Sequence, residues 1–245
     1  MIADVFPFLL VVIIIFCATF IRSAFGFGEA LIAVPLLALL IPVKVAAPVA
    51  VLISITVAAI VVVQDWNYIH FRSATWLILA SLLGTPVGLL LLIKLPGPIV
   101  KTLLATVIIL FSAHSLLKRK QAVLKDDKMA GVFGFLAGIL GGAYGMNGPP
   151  LVVFGTLRGW TPQHFRATLQ GYFLPASIVV MIGYWYADLW TVTVNTYYLI
   201  SFPAFLTAIF LGRAANLKMK RKSFLKYIHA GLIVVGCVLL WQSLL

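Results

Sequence analysis

Apolar positions in this chain fall in long, unbroken runs, with neither the one-face stripe of a surface helix nor the alternation of a strand. Val45–Val63, Thr75–Ile93, Val100–Leu117, Leu169–Ala187, Trp190–Leu211 and Tyr227–Leu244 each read as a helix of bilayer-crossing length, which is about 20 residues. Two further stretches are interrupted. Val5–Ile21 passes through a break at Arg22–Gly28 into Ala30–Ile41, and Met129–Leu140 passes through Gly141–Pro150 into Leu151–Leu157. Gly costs a helix about 1 kcal/mol and Pro about 3 relative to Ala, so the glycines and paired prolines of Gly141–Pro150 predict a break over that stretch. At membrane depth lipid cannot satisfy the freed backbone groups, so a break persists only inside protein or beside a watery cavity. Interrupted membrane helices are therefore candidate binding sites.

The two halves of the chain repeat. Phe25-Gly26-Phe27-Gly28-Glu29-Ala30-Leu31-Ile32-Ala33-Val34 lies over Tyr144-Gly145-Met146-Asn147-Gly148-Pro149-Pro150-Leu151-Val152-Val153 without a gap, and three long runs follow each copy. The expected architecture is an all-α integral membrane fold of two inverted-topology repeats, each a broken-helix hairpin plus three transmembrane helices. The first repeat covers 1–117, with hairpin 5–41 and spans 45–63, 75–93 and 100–117. A basic linker, 118–128, precedes the second repeat, 129–245, with hairpin 129–157 and spans 169–187, 190–211 and 227–244.

Composition agrees. Of the 245 residues 63% are hydrophobic and 10% charged, against roughly 45–50% and 25% in soluble domains; the mean hydropathy is +1.13. The net charge of +12 does not signal nucleic acid, because the bases lie in short loops where orientation of the helices accounts for them. With the linker in the cytoplasm, that side also gathers Arg72, Arg158, Arg166 and the bases of Arg213–Lys226, leaving Lys44, Lys94 and Lys101 outside and Arg22 at the first tip. This follows the positive-inside rule and puts both termini outside. Cys17 and Cys237 read as small buried hydrophobes. Gly84-x-x-x-Gly88, Gly134-x-x-x-Gly138 and Gly138-x-x-x-Gly142 read as places of close helix packing. The four histidines lack metal-ligand spacing, so neither a metal nor a cofactor is expected.

Candidate chemistry sits at the two tips. Gly26, Phe27 and Gly28 in one, and Tyr144, Gly145, Asn147 and Gly148 in the other, would bring backbone N–H groups and the positive ends of half-helices to an anion near the midplane. Arg22 offers a planar donor fork for a carboxylate, sulfonate or phosphate, or else pairs with Glu29. Glu29 is either that counter-ion, the favoured reading, or a proton carrier. Tyr144 and Asn147 supply side-chain donors, with Asn147 alternatively a turn residue. Thr168 and Gln170 could line the cavity, Thr168 alternatively capping a helix start.

At these paired hairpins the chain resembles the sulfite exporter TauE/SafE family, whose hallmark in each half is Gly-apolar-Gly-Gly-Gly before an apolar run with Val-Pro. The first copy here is Gly26-Phe27-Gly28-Glu29-Ala30, followed by Leu31-Ile32-Ala33-Val34-Pro35; the second is Gly145-Met146-Asn147-Gly148-Pro149. The resemblance implies secondary transport of a small sulfur-containing anion, such as sulfite or a sulfonate like sulfoacetate, across a bacterial cytoplasmic (inner) membrane. Glu29, Ala30, Asn147 and Pro149 stand where that pattern has glycine, so the pocket is reshaped and the substrate is not transferred. The expected partners are the small anion and the lipid bilayer, with a homodimer left open. A passive anion channel is the rival reading. An intramembrane enzyme is a weaker one, since no Gly-x-Ser-x-Gly, His-Glu-x-x-His or Cys–His cluster occurs.

Overall fold

The computed structural model describes residues 2–65, 71–117, 124, 127–216 and 221–244. Among these the chain is all-helical: α1 Ile2–Phe25, α2 Glu29–Leu37, α3 Val43–Asp65, α4 Phe71–Lys94, α5 Gly97–Leu117, α6 Ala130–Tyr144, α7 Gly148–Leu157, α8 Pro162–Tyr186, α9 Val192–Asn216 and α10 Arg221–Leu244. Six of them, α1, α3, α4, α5, α8 and α9, are long and apolar enough to cross a membrane. The nine residues of α2 and ten of α7 reach only about 14–15 Å at 1.5 Å per residue and cannot. Large apolar side chains such as Leu83, Leu110 and Leu199 stand exposed on α4, α5 and α9. An apolar core inside an apolar surface is a multi-pass membrane protein. For the same reason Cys17 and Cys237, expected inside, are exposed on α1 and α10; in a bilayer a small hydrophobe fits either side of a helix.

Both interruptions are narrower than the sequence suggests. α1 continues through Arg22 to Phe25, so Arg22 lies in the last turn of a helix and not in a loop. The stop is Gly26, at φ 88°, whose N–H donates to the Arg22 carbonyl at 2.6 Å. α6 likewise runs through Gly141 and Gly142 and stops at Gly145, at φ 65°. These two residues adopt the left-handed conformation that ends helices, which side chains other than Gly enter at a cost of roughly 1–2 kcal/mol. Pro149 and Pro150 do not break α7; they open it, in its first turn, where their missing N–H groups have no intrahelical partner to lose. The Lys118–Lys128 linker lies mostly outside the described residues. Leu124 within it donates its N–H to the Leu157 carbonyl at 2.7 Å.

Helix packing repeats under the exchange of α1–α5 for α6–α10. α1 lies on α9, as α6 lies on α4. Both pairs are parallel: Phe8 meets Tyr197 while Gly212 abuts Phe20 and Ala24, and Gly134 meets Leu77 while Gly142 meets Thr85 and Leu89. α5 and α10 are antiparallel, with Thr102 on Ser243 and Phe111 on His229. The α4–α6 seam is made by the glycine rows. A Cβ on Gly138 would stand 2.3 Å from the Ser81 carbonyl oxygen, and one on Gly84 would stand 2.1 Å from that of Phe135. Each tip plugs into the core opposite. Phe27 joins the cluster of Leu77, Phe154, Phe165 and Tyr172, while Tyr144 and Met146 join that of Val51, Leu104 and Val180.

Candidate functional site

The tips are seated on α8 and α3. A Cβ on Gly26 would meet Arg166 on α8 at 3.0 Å, and one on Gly145 would meet Val51 on α3 at 2.7 Å. So held, both interruptions face one small buried cavity. Its wall takes Arg22, Phe27, Gly28 and Glu29 from the first half, Gly145, Asn147 and Gly148 from the second, and Ser54 and Phe173 from α3 and α8. The space is about 20 Å³, against roughly 10–15 Å³ needed to hold one water.

The surroundings of the two tips are chemically unequal. Under the register that superposes Gly26 on Gly145, Arg22 corresponds to Gly141, Glu29 to Gly148 and Gln170 to Val51. All the charge therefore sits at the first tip. Arg22 and Glu29 are both 3% exposed and form a buried salt bridge. Arg22 Nη1 also donates to Ser54 Oγ at 2.8 Å, and Nη2 to Gln170 Oε1 at 2.7 Å and the Ser54 carbonyl at 3.4 Å. Thr19 Oγ1 donates to Glu29 Oε1 at 3.4 Å. The guanidinium carbon lies 5.1 Å from the centre of the Phe173 ring, a cation–π distance. A guanidinium has five N–H donors, and of these the buried Nε–H has no partner among the described residues.

Gln170 is a brace. Its Oε1 accepts from Arg22 while its Nε2 donates to the Gly26 carbonyl at 2.9 Å, tying α1, the first tip and α8 together. Asn147, at φ −73°, is the last residue of the second interruption and the N-cap of α7, and it donates Nδ2 to the Tyr172 hydroxyl at 3.4 Å. The Tyr144 hydroxyl donates to the Val100 carbonyl on α5 at 3.1 Å. Thr168 is fully buried well inside α8. The helix-start cap of α8 is instead Thr161, whose Oγ1 accepts the His164 N–H at 3.4 Å. Gly26, Tyr144, Thr168 and Gln170 are thus not part of the cavity wall, whereas Arg22, Phe27, Gly28, Glu29, Gly145, Asn147 and Gly148 meet there.

Two partners escaped the sequence reading. Ser54 and Thr56 are the two hydroxyl residues in the otherwise apolar run Val45–Val63, a signal that could have found Ser54. Phe173 is one phenylalanine among 17, and nothing in its neighbours marks it.

The helix ends at the cavity also differ. The first turn of α2 offers the N–H groups of Glu29, Ala30 and Leu31, while Pro149 and Pro150 remove two donors from the first turn of α7. Donors and charge concentrate at the first tip.

Neither the characterised proteins nor the solved structures compared with the chain gave a match. The family model described as Sulfite exporter TauE/SafE matches residues 11–240, from the third turn of α1 to near the end of α10 and across both tips. This membrane protein, with ten helices among its described residues and two interruptions meeting at a buried arginine, belongs to the sulfite exporter TauE/SafE family of transporters.

Proposed function

We propose that the protein is a secondary transporter carrying a small sulfur-containing anion, sulfite or a sulfonate, through a site between the α1–α2 and α6–α7 tips. The observation that carries the reading is the convergence of both interruptions and the buried Arg22 on one cavity. Arg22 supplies the permanent charge, its Nε–H and the free N–H groups of α2 supply donors, and Phe173 and Gln170 fix the guanidinium plane. A cavity that admits a single water is too small for a sulfur oxyanion, so loading needs the tips to part. That separation is the movement a carrier uses to alternate access, and a space this small favours a carrier over an open pore.

The parallel packing of α1 on α9 and of α6 on α4, with α5 antiparallel to α10, supports two repeats of inverted topology. α1 and α6 then enter from opposite faces, each returning through its short partner helix. Read in this topology, the sequence gathers most of its bases at one face, which supports a cytoplasmic linker and outward termini. On this reading the protein is not an enzyme and leaves its anion chemically unchanged.

The test is thermal stabilisation of the purified protein by sulfite, sulfate, thiosulfate, sulfoacetate, isethionate, taurine and matched carboxylates. A ligand at 100 times its Kd stabilises by about 2.7 kcal/mol. A sulfur anion that stabilises where its carboxylate counterpart does not, and that shows saturable counterflow in vesicles, supports the reading. Flat responses to every sulfur anion would overturn the substrate class, and flux without counterflow would favour a channel.

A further inference from the structure

A second, larger cavity opens at one end of the bundle, where α2 ends and α3 and α5 begin. It measures about 570 Å³, within the roughly 300–1,000 Å³ range of small-molecule sites. We propose that it binds one anionic phospholipid, an acyl chain entering the apolar interior and the phosphate meeting Lys44 and Lys101 at the rim. This assignment is independent of the anion site between the tips.

Three observations lead to it. Leu39, Ile41, Val43 and Val100 form apolar wall, which suits a hydrocarbon chain and not a free oxyanion. The exposed Lys44 donates Nζ to the Ile93 carbonyl at 3.2 Å, and Lys101 donates to Gln242 Oε1 at 3.5 Å. An ammonium has three donors, so each keeps N–H groups for a phosphate. Lys94 follows next to Ile93, and no carboxylate occurs between Glu29 and Asp65, between Asp65 and Asp126, or after Asp188. The segments that build the cavity therefore carry positive charge without acid to balance it.

The matching end of α7 shows what covers such a place. In the register of the two tips Ala38 corresponds to Leu157. There the chain covers itself: Leu124 donates its N–H to the Leu157 carbonyl at 2.7 Å and accepts from Arg158 Nη1 at 2.8 Å. Beside Ala38 lies an open cavity instead. Beside the rim of a membrane-spanning bundle lipid is the apolar material at hand, and the two lysines select an anionic head group.

The experiment uses the full chain purified in a neutral detergent. Short-chain phosphatidylglycerol, phosphatidylcholine of the same chains, and inorganic phosphate are compared by melting temperature and by lipid retained in native mass spectrometry. Phosphatidylglycerol alone should raise the melting temperature and stay bound as one copy. Each lysine near an anionic head group is expected to contribute about fivefold in affinity, so Lys44→Gln with Lys101→Gln should weaken binding about 30-fold, and the Lys44→Arg, Lys101→Arg pair should retain it. Gly97→Leu tests the apolar wall with the charges intact. No atom lies within 4 Å of where its Cβ would stand, so the side chain has room and should reduce lipid retention. Equal shifts with phosphatidylcholine, a full shift with phosphate alone, or undiminished retention in the double Gln variant would each overturn the proposal.

Discussion

Replacing Glu29 by Gln removes a buried charge at nearly constant shape. Arg22 and Glu29 are each 3% exposed, so the guanidinium left behind has little water to compensate it. Removing one member of a buried ion pair costs about 3–5 kcal/mol. The amide oxygen introduced by Glu29→Gln still accepts a hydrogen bond, and Ser54 and Gln170 keep their contacts with Arg22. The expected loss is therefore at the lower end, about 3 kcal/mol. Equilibrium unfolding of the purified protein, by heat or denaturant, measures it. Replacing both members by apolar residues, Arg22→Met with Glu29→Leu, removes both desolvation penalties and should recover most of the loss. The wild-type pair is electrically neutral and the Glu29→Gln site is not, so sulfite should stabilise the variant more than the wild type. A loss below about 1 kcal/mol, or a double variant no more stable than the single, would refute the buried-pair reasoning.

Gly138→Ala places a Cβ 2.3 Å from the Ser81 carbonyl oxygen and should cost roughly 1–3 kcal/mol by prising α4 from α6, whereas Gly131→Ala, with no atom within 4 Å of its Cβ, should be neutral or slightly stabilising in the same melting assay. Gly145→Ala combines a left-handed backbone with a contact 2.7 Å from Val51 Cγ2; adding Val51→Ala should relieve the contact but leave the roughly 1–2 kcal/mol backbone strain. Tyr144→Phe loses the bond to the Val100 carbonyl, worth about 1 kcal/mol of stability, and should leave anion affinity unchanged; a tenfold fall would bring the hydroxyl into the site. Reporter fusions should place both termini outside, and a cytoplasmic signal from either would sink the inverted arrangement.

The element pattern was legible because each span is a property of a local run. Val45–Val63 appears as α3, Val43–Asp65, and Thr75–Ile93 as α4, Phe71–Lys94, with only the ends moved. The glycine rows of α4 and α6 were legible too, since residues without a Cβ, four apart on a helix, have close approach as their use. The edges of the interruptions were not. Composition alone put Arg22 and Gly141 in breaks, but a glycine inside a helix is tolerable when a neighbour needs the space, and Gly141 yields that space to the Asn147 side chain. Prolines in a first turn likewise open a helix as readily as they end one.

By itself the sequence determined that the chain is an all-helical membrane protein, that two of its segments are interrupted in register, and that Arg22 and Glu29 are the ionisable residues at the first interruption. Those conclusions follow from hydrophobicity, backbone freedom and spacing, which are local. Tertiary structure decided which groups meet. It set Gln170, far along the chain, between Arg22 and the Gly26 carbonyl, brought Ser54 and Phe173 onto the guanidinium, turned Tyr144 toward α5, and gathered Lys44 and Lys101 around one cavity. Contacts between distant residues depend on how helices cross, and a crossing is fixed by packing across the whole bundle.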